Sequence, residues 1–369
     1  MSYSRIFRPS HHTNGRPQGV GLLVGWHGAM AQGLIASAIL LSPVTAVAQE
    51  PVRVAATLPV YASVARAIGG EHVEATSIAS PTEDAHFVRP KPSFARTLRN
   101  ADLFITTGLD LELWVPALLD RAGNADVAEG GRGYVTAYTG VNLLDVPVAT
   151  SRSEGDVHLY GNPHLHTDPV RVIQIARNIT TGLKRVAPDR AAAFDAGFED
   201  FRVRIYEALV GSELVAILGV EALESLAASP NLRSFLDENE LEGTPLSSRL
   251  GGWLKTAEAF RGKRMICYHK NWAYFEERFD VHCAEYVEAK PGIPPTPGHV
   301  SRLIDMMQSE GFEVLLAASY FDRGKVESVA RRGGATAVVV PLYGGTGEVG
   351  DYFELVTLWV DGLARAFGG

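Results

Sequence analysis

Short β-branched runs alternate with amphipathic stretches twice along this chain. That alternation confines it to the α/β class, because parallel strands need long, usually helical, crossovers between them. In the first half, residues 52–57, 72–78, 102–107 and 134–138 read as strands, with helices expected over 60–68, 92–99 and 111–121. In the second half, residues 263–268, 281–287, 313–318 and 335–340 read as strands, and 271–279, 299–309, 322–331 and 351–367 as helices. Between the halves, Asp168 is placed to cap a helix that Pro169 opens. Val172, Ile175, Ile179 and Leu183 give it one apolar face, and the pattern resumes after Pro188 towards Val210. Residues 213–252 are less regular. The expected fold is therefore α/β, with two lobes, each a mostly parallel four-stranded sheet flanked by helices, joined by a long rigid helix. The expected divisions are an N-terminal lobe over 49–165, a linking helix region over 166–210 and a C-terminal lobe over 211–369.

Residues 1–48 differ from the rest. They hold Arg5, Arg8 and Arg16 and no acidic residue, and no charged side chain lies between Pro17 and Ala48. An apolar stretch over 33–41 followed by Ala46, Val47 and Ala48 has the anatomy of a cleavable secretory signal, with a mature start near Gln49. The competing expectation is a retained anchor, because the uncharged run is long enough to span a bilayer. No cysteine follows the cleavage box, which argues against a lipid anchor there. Removing the three arginines takes the formal charge from −8 to −11, the wrong sign for a nucleic-acid binder. Export makes an oxidising compartment the expected setting. The only cysteines, Cys267 and Cys283, either pair there or stay as two buried thiols.

The chemistry resides in histidines. Eight follow residue 48, and His86, His164 and His269 stand just past expected strand ends or in the loop before the connector, where open parallel sheets place their ligand sites. Three neutral imidazoles converging from separate loops suit zinc. Each ring must be deprotonated to bind, so capture is expected to weaken below about pH 6.5. His158 lies on a neighbouring polar loop as a candidate for a secondary capture site or as a solvated loop histidine. His166 is two residues from His164, so the two side chains should point oppositely in an extended loop. His72, His282 and His299 are assigned to the surface or to packing, and Trp114, Trp272, Tyr274 and Phe275 to the packed surroundings of the cleft.

At these positions the chain resembles the metal-binding components of bacterial ABC importers for zinc, manganese or iron, the adhesin-lipoprotein family. The likeness covers nearly all of the chain after residue 48. It rests on the opening segments 54–60 and 68–70, on His86 followed by Pro92 and Ser93, and on Ala101, Asp102 and Leu103 with Leu111, Glu112 and Trp114. It continues through Asn162, Pro163, His164, Asp168 and Pro169, then Tyr268 to Phe275, and the run 288–295. The resemblance implies His86, His164 and His269 as metal ligands. Family members usually supply a fourth, acidic ligand in an Asp-Pro-Leu stretch, where this chain has Val340, Pro341 and Leu342. The site is then either three histidines plus water or one that borrows a group, for which Glu288, Asp322, Glu348 and Asp351 are the available carboxylates, with the phenols of Tyr320 and Tyr343 behind them.

The implied function is a monomeric periplasmic substrate-binding protein. It captures a divalent transition metal, zinc ahead of manganese or iron, and delivers it to the membrane permease of an ABC importer. The metal is cargo, and no enzyme activity or nucleic-acid partner is expected. The alternative is a periplasmic zinc-dependent hydrolase, since three histidines with an open fourth position are also a catalytic arrangement.

Overall fold

Two parallel sheets with the same strand order organise the chain. The computed structural model describes residues 50–147, 158–229, 231–288, 292–345 and 349–368. The signal-peptide reading over 1–48 and the candidate ligand Glu348 lie outside them. The first sheet contains β1 (Val52–Ala56), β2 (Val73–Ser77), β3 (Leu103–Thr106) and β4 (Tyr134–Thr136) in the order β2-β1-β3-β4. Helices α1 (Pro59–Gly69), α2 (Pro92–Asn100) and α3 (Val115–Ala122) connect them. Then come α4 (Pro169–Val186), α5 (Ala191–Val210), α6 (Ser212–Leu218), α7 (Val220–Ala227) and α8 (Leu232–Glu238), followed by a hairpin of β5 (Glu240–Leu241) and β6 (Thr244–Pro245), and by α9 (Gly252–Thr256). The second sheet contains β7 (Arg264–Cys267), β8 (His282–Tyr286), β9 (Val314–Ala318) and β10 (Thr336–Val340) in the order β10-β9-β7-β8, with α10 (Ala273–Phe279), α11 (Pro297–Glu310), α12 (Arg323–Gly333) and α13 (Tyr352–Ala366) around it. Read from β8, the second order is again second-first-third-fourth. Each sheet therefore reverses direction between its first and third strands, and the crevice beyond that point is where such sheets accept ligands.

The burial pattern follows from the layers. β3 and β9 are buried on both faces, whereas edge strand β2 alternates, as expected when helices cover a parallel sheet. The connector is two helices, broken at Ala187 and Pro188 because the residue before a proline is excluded from the helical region. α5 packs on α1 and α4 of the first half and on α6 and α9 beyond it, which ties the halves together. It reaches α1 because residue 197 is glycine: a Cβ there would stand 2.0 Å from the Ile68 carbonyl oxygen.

The helix expected from Leu111 begins only at Val115. Gly108, Leu109 and Asp110 all take left-handed backbone angles (φ 78°, 58° and 60°), so residues 111–114 form a turn. Two side chains of that turn hold neighbouring segments in place. Glu112 is buried and accepts hydrogen bonds from the Thr57 and Thr106 hydroxyls and the Thr107 amide. Trp114 Nε1 donates to the Ala85 carbonyl at 2.8 Å, fixing the turn that carries His86. Cys267 and Cys283 form a disulfide between β7 and β8, which decides between the two expectations. Among the described residues no helix is long and apolar enough to cross a membrane.

Candidate metal site

Four histidines meet at the C-terminal ends of the two sheets. His86 lies in a single 3-10 turn, Ala85–Phe87, after β2. His164 precedes the turn Leu165–Thr167 that leads into α4, and His269 follows β7. His158 comes from the loop before His164. The ring centres are 5.7 Å apart for His86 and His164, 6.2 Å for His86 and His269, and 6.4 Å for His164 and His269. His158 stands 5.1 Å from His86 and 6.2 Å from His164. Zinc sits about 2.0–2.1 Å from an imidazole nitrogen, so tetrahedral neighbours would have ring centres about 5.2 Å apart. The rings are therefore within about 1.2 Å of a coordinating arrangement. Among the described residues, no three His, Cys, Asp or Glu side chains stand close enough to hold a metal ion as they are.

Hydrogen bonds fix which nitrogen faces the centre. His86 Nδ1 lies 2.7 Å from Asp84 Oδ1, which also accepts from the His86 amide at 3.0 Å. A carboxylate only accepts, so Nδ1 carries the proton and Nε2 is bare. Burial alone would raise Asp84, but the hydrogen bonds and charge of His86 outweigh it and hold the carboxyl below its ordinary range. The Asn162 side-chain nitrogen donates to Asp145 and to the Lys270 carbonyl, which identifies Oδ1 as its acceptor. His164 Nδ1 is 2.9 Å from that oxygen, so it too carries the proton. His164 Nε2 is left buried without a partner, an atom that a cation would satisfy. His269 Nδ1 is 3.4 Å from Glu288 Oε1 but out of line for a hydrogen bond.

Burial, followed by repulsion from His86, His158 and His269, holds His164 well below its ordinary value. Burial, then His86 and His269, pushes His158 down to about 3. These two rings stay neutral well under pH 6.5, lower than the sequence-based limit for proton competition.

The remaining candidates lie elsewhere. His166 is fully buried. Its Nε2 meets the Leu342 carbonyl at 3.1 Å, and its own carbonyl accepts from the Tyr352 hydroxyl. It packs on Tyr343 and Trp359, turned away from His164 as the spacing predicted. Asp322 caps α12 by accepting from the Lys325 amide, and Asp351 caps α13 by accepting from the Glu354 amide. Val340 ends β10, and the carbonyls of Pro341 and Leu342 are taken by Trp359 and His166. Glu288 alone of the described carboxylate candidates adjoins the cluster, beside a ring. His282 is exposed, and His72 and His299 serve packing and hydrogen-bonding roles.

A buried clamp joins the turn after His164 to α10, the helix after His269. Asp168 accepts from Arg278 Nε (2.8 Å) and Nη2 (3.1 Å), from Arg171 Nη1 (2.7 Å) and from the Val170 amide (2.9 Å). The Tyr274 hydroxyl donates to the Asn162 carbonyl at 2.6 Å. The sequence offered no signal for the Asp168–Arg278 pair. His158, six residues before His164 in the chain, joins the cluster beside His86 and His164.

A family model described as zinc-uptake complex component A, periplasmic (ZnuA), matches residues 54–209 and 247–366. The iron-binding protein YfeA of Yersinia pestis is 22% identical over 320 residues, covering 86% of each chain. A crystal structure of ZnuA superposes with a TM-score of 0.63 at 16% identity, over 86% of this chain and 100% of that one. A manganese-bound periplasmic metal-binding protein from Candidatus Liberibacter asiaticus gives 0.59 at 15%, over 86% and 100%. The chain belongs to the ZnuA family, periplasmic metal-binding components of ABC importers that are solute-binding proteins rather than enzymes.

Proposed function

We propose that this protein captures zinc through His86, His164 and His269 and passes it to the membrane permease of its importer. One observation carries the reading: three rings from three separate loops converge, and two of them have Nδ1 tied up by Asp84 and Asn162 so that Nε2 faces inward. Nitrogen donors favour zinc over manganese, which prefers oxygen. The valine at position 340 removes the anionic oxygen that would shift that balance. Relatives named for iron or manganese make the metal a quantity to measure. The division proposed is a lobe over 49–165 and a lobe over 211–369, with 166–210 linking them, in a monomer released by cleavage near Gln49.

Calorimetric titration of metal-free protein with zinc, manganese and anaerobic ferrous iron tests this. One zinc per chain is expected, bound more tightly than the other two ions, with binding largely lost in His86→Ala, His164→Ala and His269→Ala. Unchanged affinity in all three variants, or tighter binding of manganese than of zinc, would refute it.

A further inference from the structure

We propose that His158 is the fourth ligand of the same ion, so that four imidazoles and no anion surround the cargo, and that this shell selects nitrogen-preferring ions against manganese. The inference rests on the three-histidine reading above and adds to it.

The first observation is a pair of facing ring nitrogens. His158 Nε2 stands 3.0 Å from His86 Nε2. The His86 ring has its other nitrogen committed to Asp84, so its inner nitrogen offers a lone pair, and His158 meets that lone pair at hydrogen-bond distance. When His158 carries its proton on the outer nitrogen, both inner nitrogens are free to bind one cation placed between them. Nitrogens each about 2.1 Å from zinc at a tetrahedral angle are about 3.4 Å apart, so the pair must open by only about 0.4 Å.

The second observation is the backbone beside His158, where Gly108, Leu109 and Asp110 are left-handed in succession, two of them not glycine. Such conformations persist where the surroundings over-determine them, and they gather at ligand sites.

The third observation concerns charge. Four neutral rings leave a divalent ion uncompensated among its direct ligands. Two carboxylates stand one group further out: Asp84 against His86 at 2.7 Å and Glu288 near His269 at 3.4 Å. Their two negative charges offset the ion's, and Asp84 does so through its hydrogen bond to His86, the carboxylate–histidine–metal arrangement that raises ligand basicity. Neither carboxylate needs to replace the acid missing at Val340. After Val340, the carbonyls of Pro341 and Leu342 are already hydrogen-bonded to Trp359 and His166.

The selectivity follows from donor type. Manganese is the weakest binder of nitrogen sites among the divalent first-row ions, and an all-imidazole shell removes the oxygen that would retain it.

Zinc-edge X-ray absorption on the full protein counts the imidazoles directly, with calorimetry alongside. The wild type is expected to show four imidazole nitrogens, and His158→Ala and His158→Gln three plus one oxygen. Zinc affinity should fall about tenfold or more in both variants, in line with losing a bond that orients the site. His158→Asp should raise the manganese-to-zinc affinity ratio. Using both Ala and Gln separates lost ligation from a disturbed loop, since Gln preserves bulk and a hydrogen-bond donor. Three imidazoles in the wild type, or identical spectra and affinities in wild type and both variants, would overturn this inference and leave the three-histidine reading standing. Absence of histidine-bound zinc in the wild type would overturn both.

Discussion

Arg278→Met tests how the turn after His164 and the helix after His269 are held together. Asp168 has no exposed surface, and Arg278 is 12% exposed at its side chain. Burial alone would raise the Asp168 carboxyl, but the guanidinium groups of Arg278 and Arg171 hold it below its ordinary range. Removing one partner of a buried ion pair costs about 3–5 kcal/mol, because the other charge is left desolvated. Asp168 keeps two of its four donors, Arg171 and the Val170 amide, which puts the expected loss near 3 kcal/mol. The Ala227 carbonyl also loses its 3.0 Å bond from Arg278, in the same direction. The assay is urea unfolding of metal-free protein at pH 7, read as a lower midpoint at unchanged slope. In Asp168→Asn/Arg278→Met the stranded charge is gone, so the double variant should be clearly less destabilised than the sum of the singles. A change within about 0.5 kcal/mol for Arg278→Met, the range of ordinary surface substitutions, would refute the clamp. So would strict additivity in the cycle.

Two further outcomes test the surroundings. The disulfide closes a separation of 16 residues, so Cys267→Ser/Cys283→Ser should lose about 3 kcal/mol by chain entropy; unchanged melting of the variant would count against that constraint. Glu276 is pushed up to about 7 by burial, against the opposing hydrogen bond it accepts from the Cys283 amide. Its folded value exceeds the unfolded 4.5. The stabilisation is therefore full below pH 4.5 and is lost as pH rises through 7, by about 2–3 kcal/mol. Glu276→Gln should show a smaller fall in stability between pH 4.5 and 8 than the wild type, and parallel pH profiles would sink the assignment.

The sheets were legible because each strand is a short apolar run bounded by turn residues, and three of the four clustered histidines were legible because they lie in loops that leave strand ends or precede the connector helix. Other features depend on the path of the chain in space. Leu109 and Asp110 carry no sequence mark of their left-handed angles, so the third helix was started four residues early. Asp168 reads locally as a helix cap, which it is, but its second role depends on Arg278, 110 residues away. Pairing of Cys267 with Cys283 depends on the adjacency of β7 and β8, which brings their Cα atoms to 5.4 Å. The place of His158 beside His86 depends likewise on which way a polar loop folds back, which spacing does not show.

The most direct measurement is an anomalous difference map at the zinc edge from crystals grown with one equivalent of zinc. The expected result is one dominant peak about 2.1 Å from ring nitrogens of His86, His164 and His269. A principal peak elsewhere, with these rings still paired only to protein atoms, would contradict the central claim.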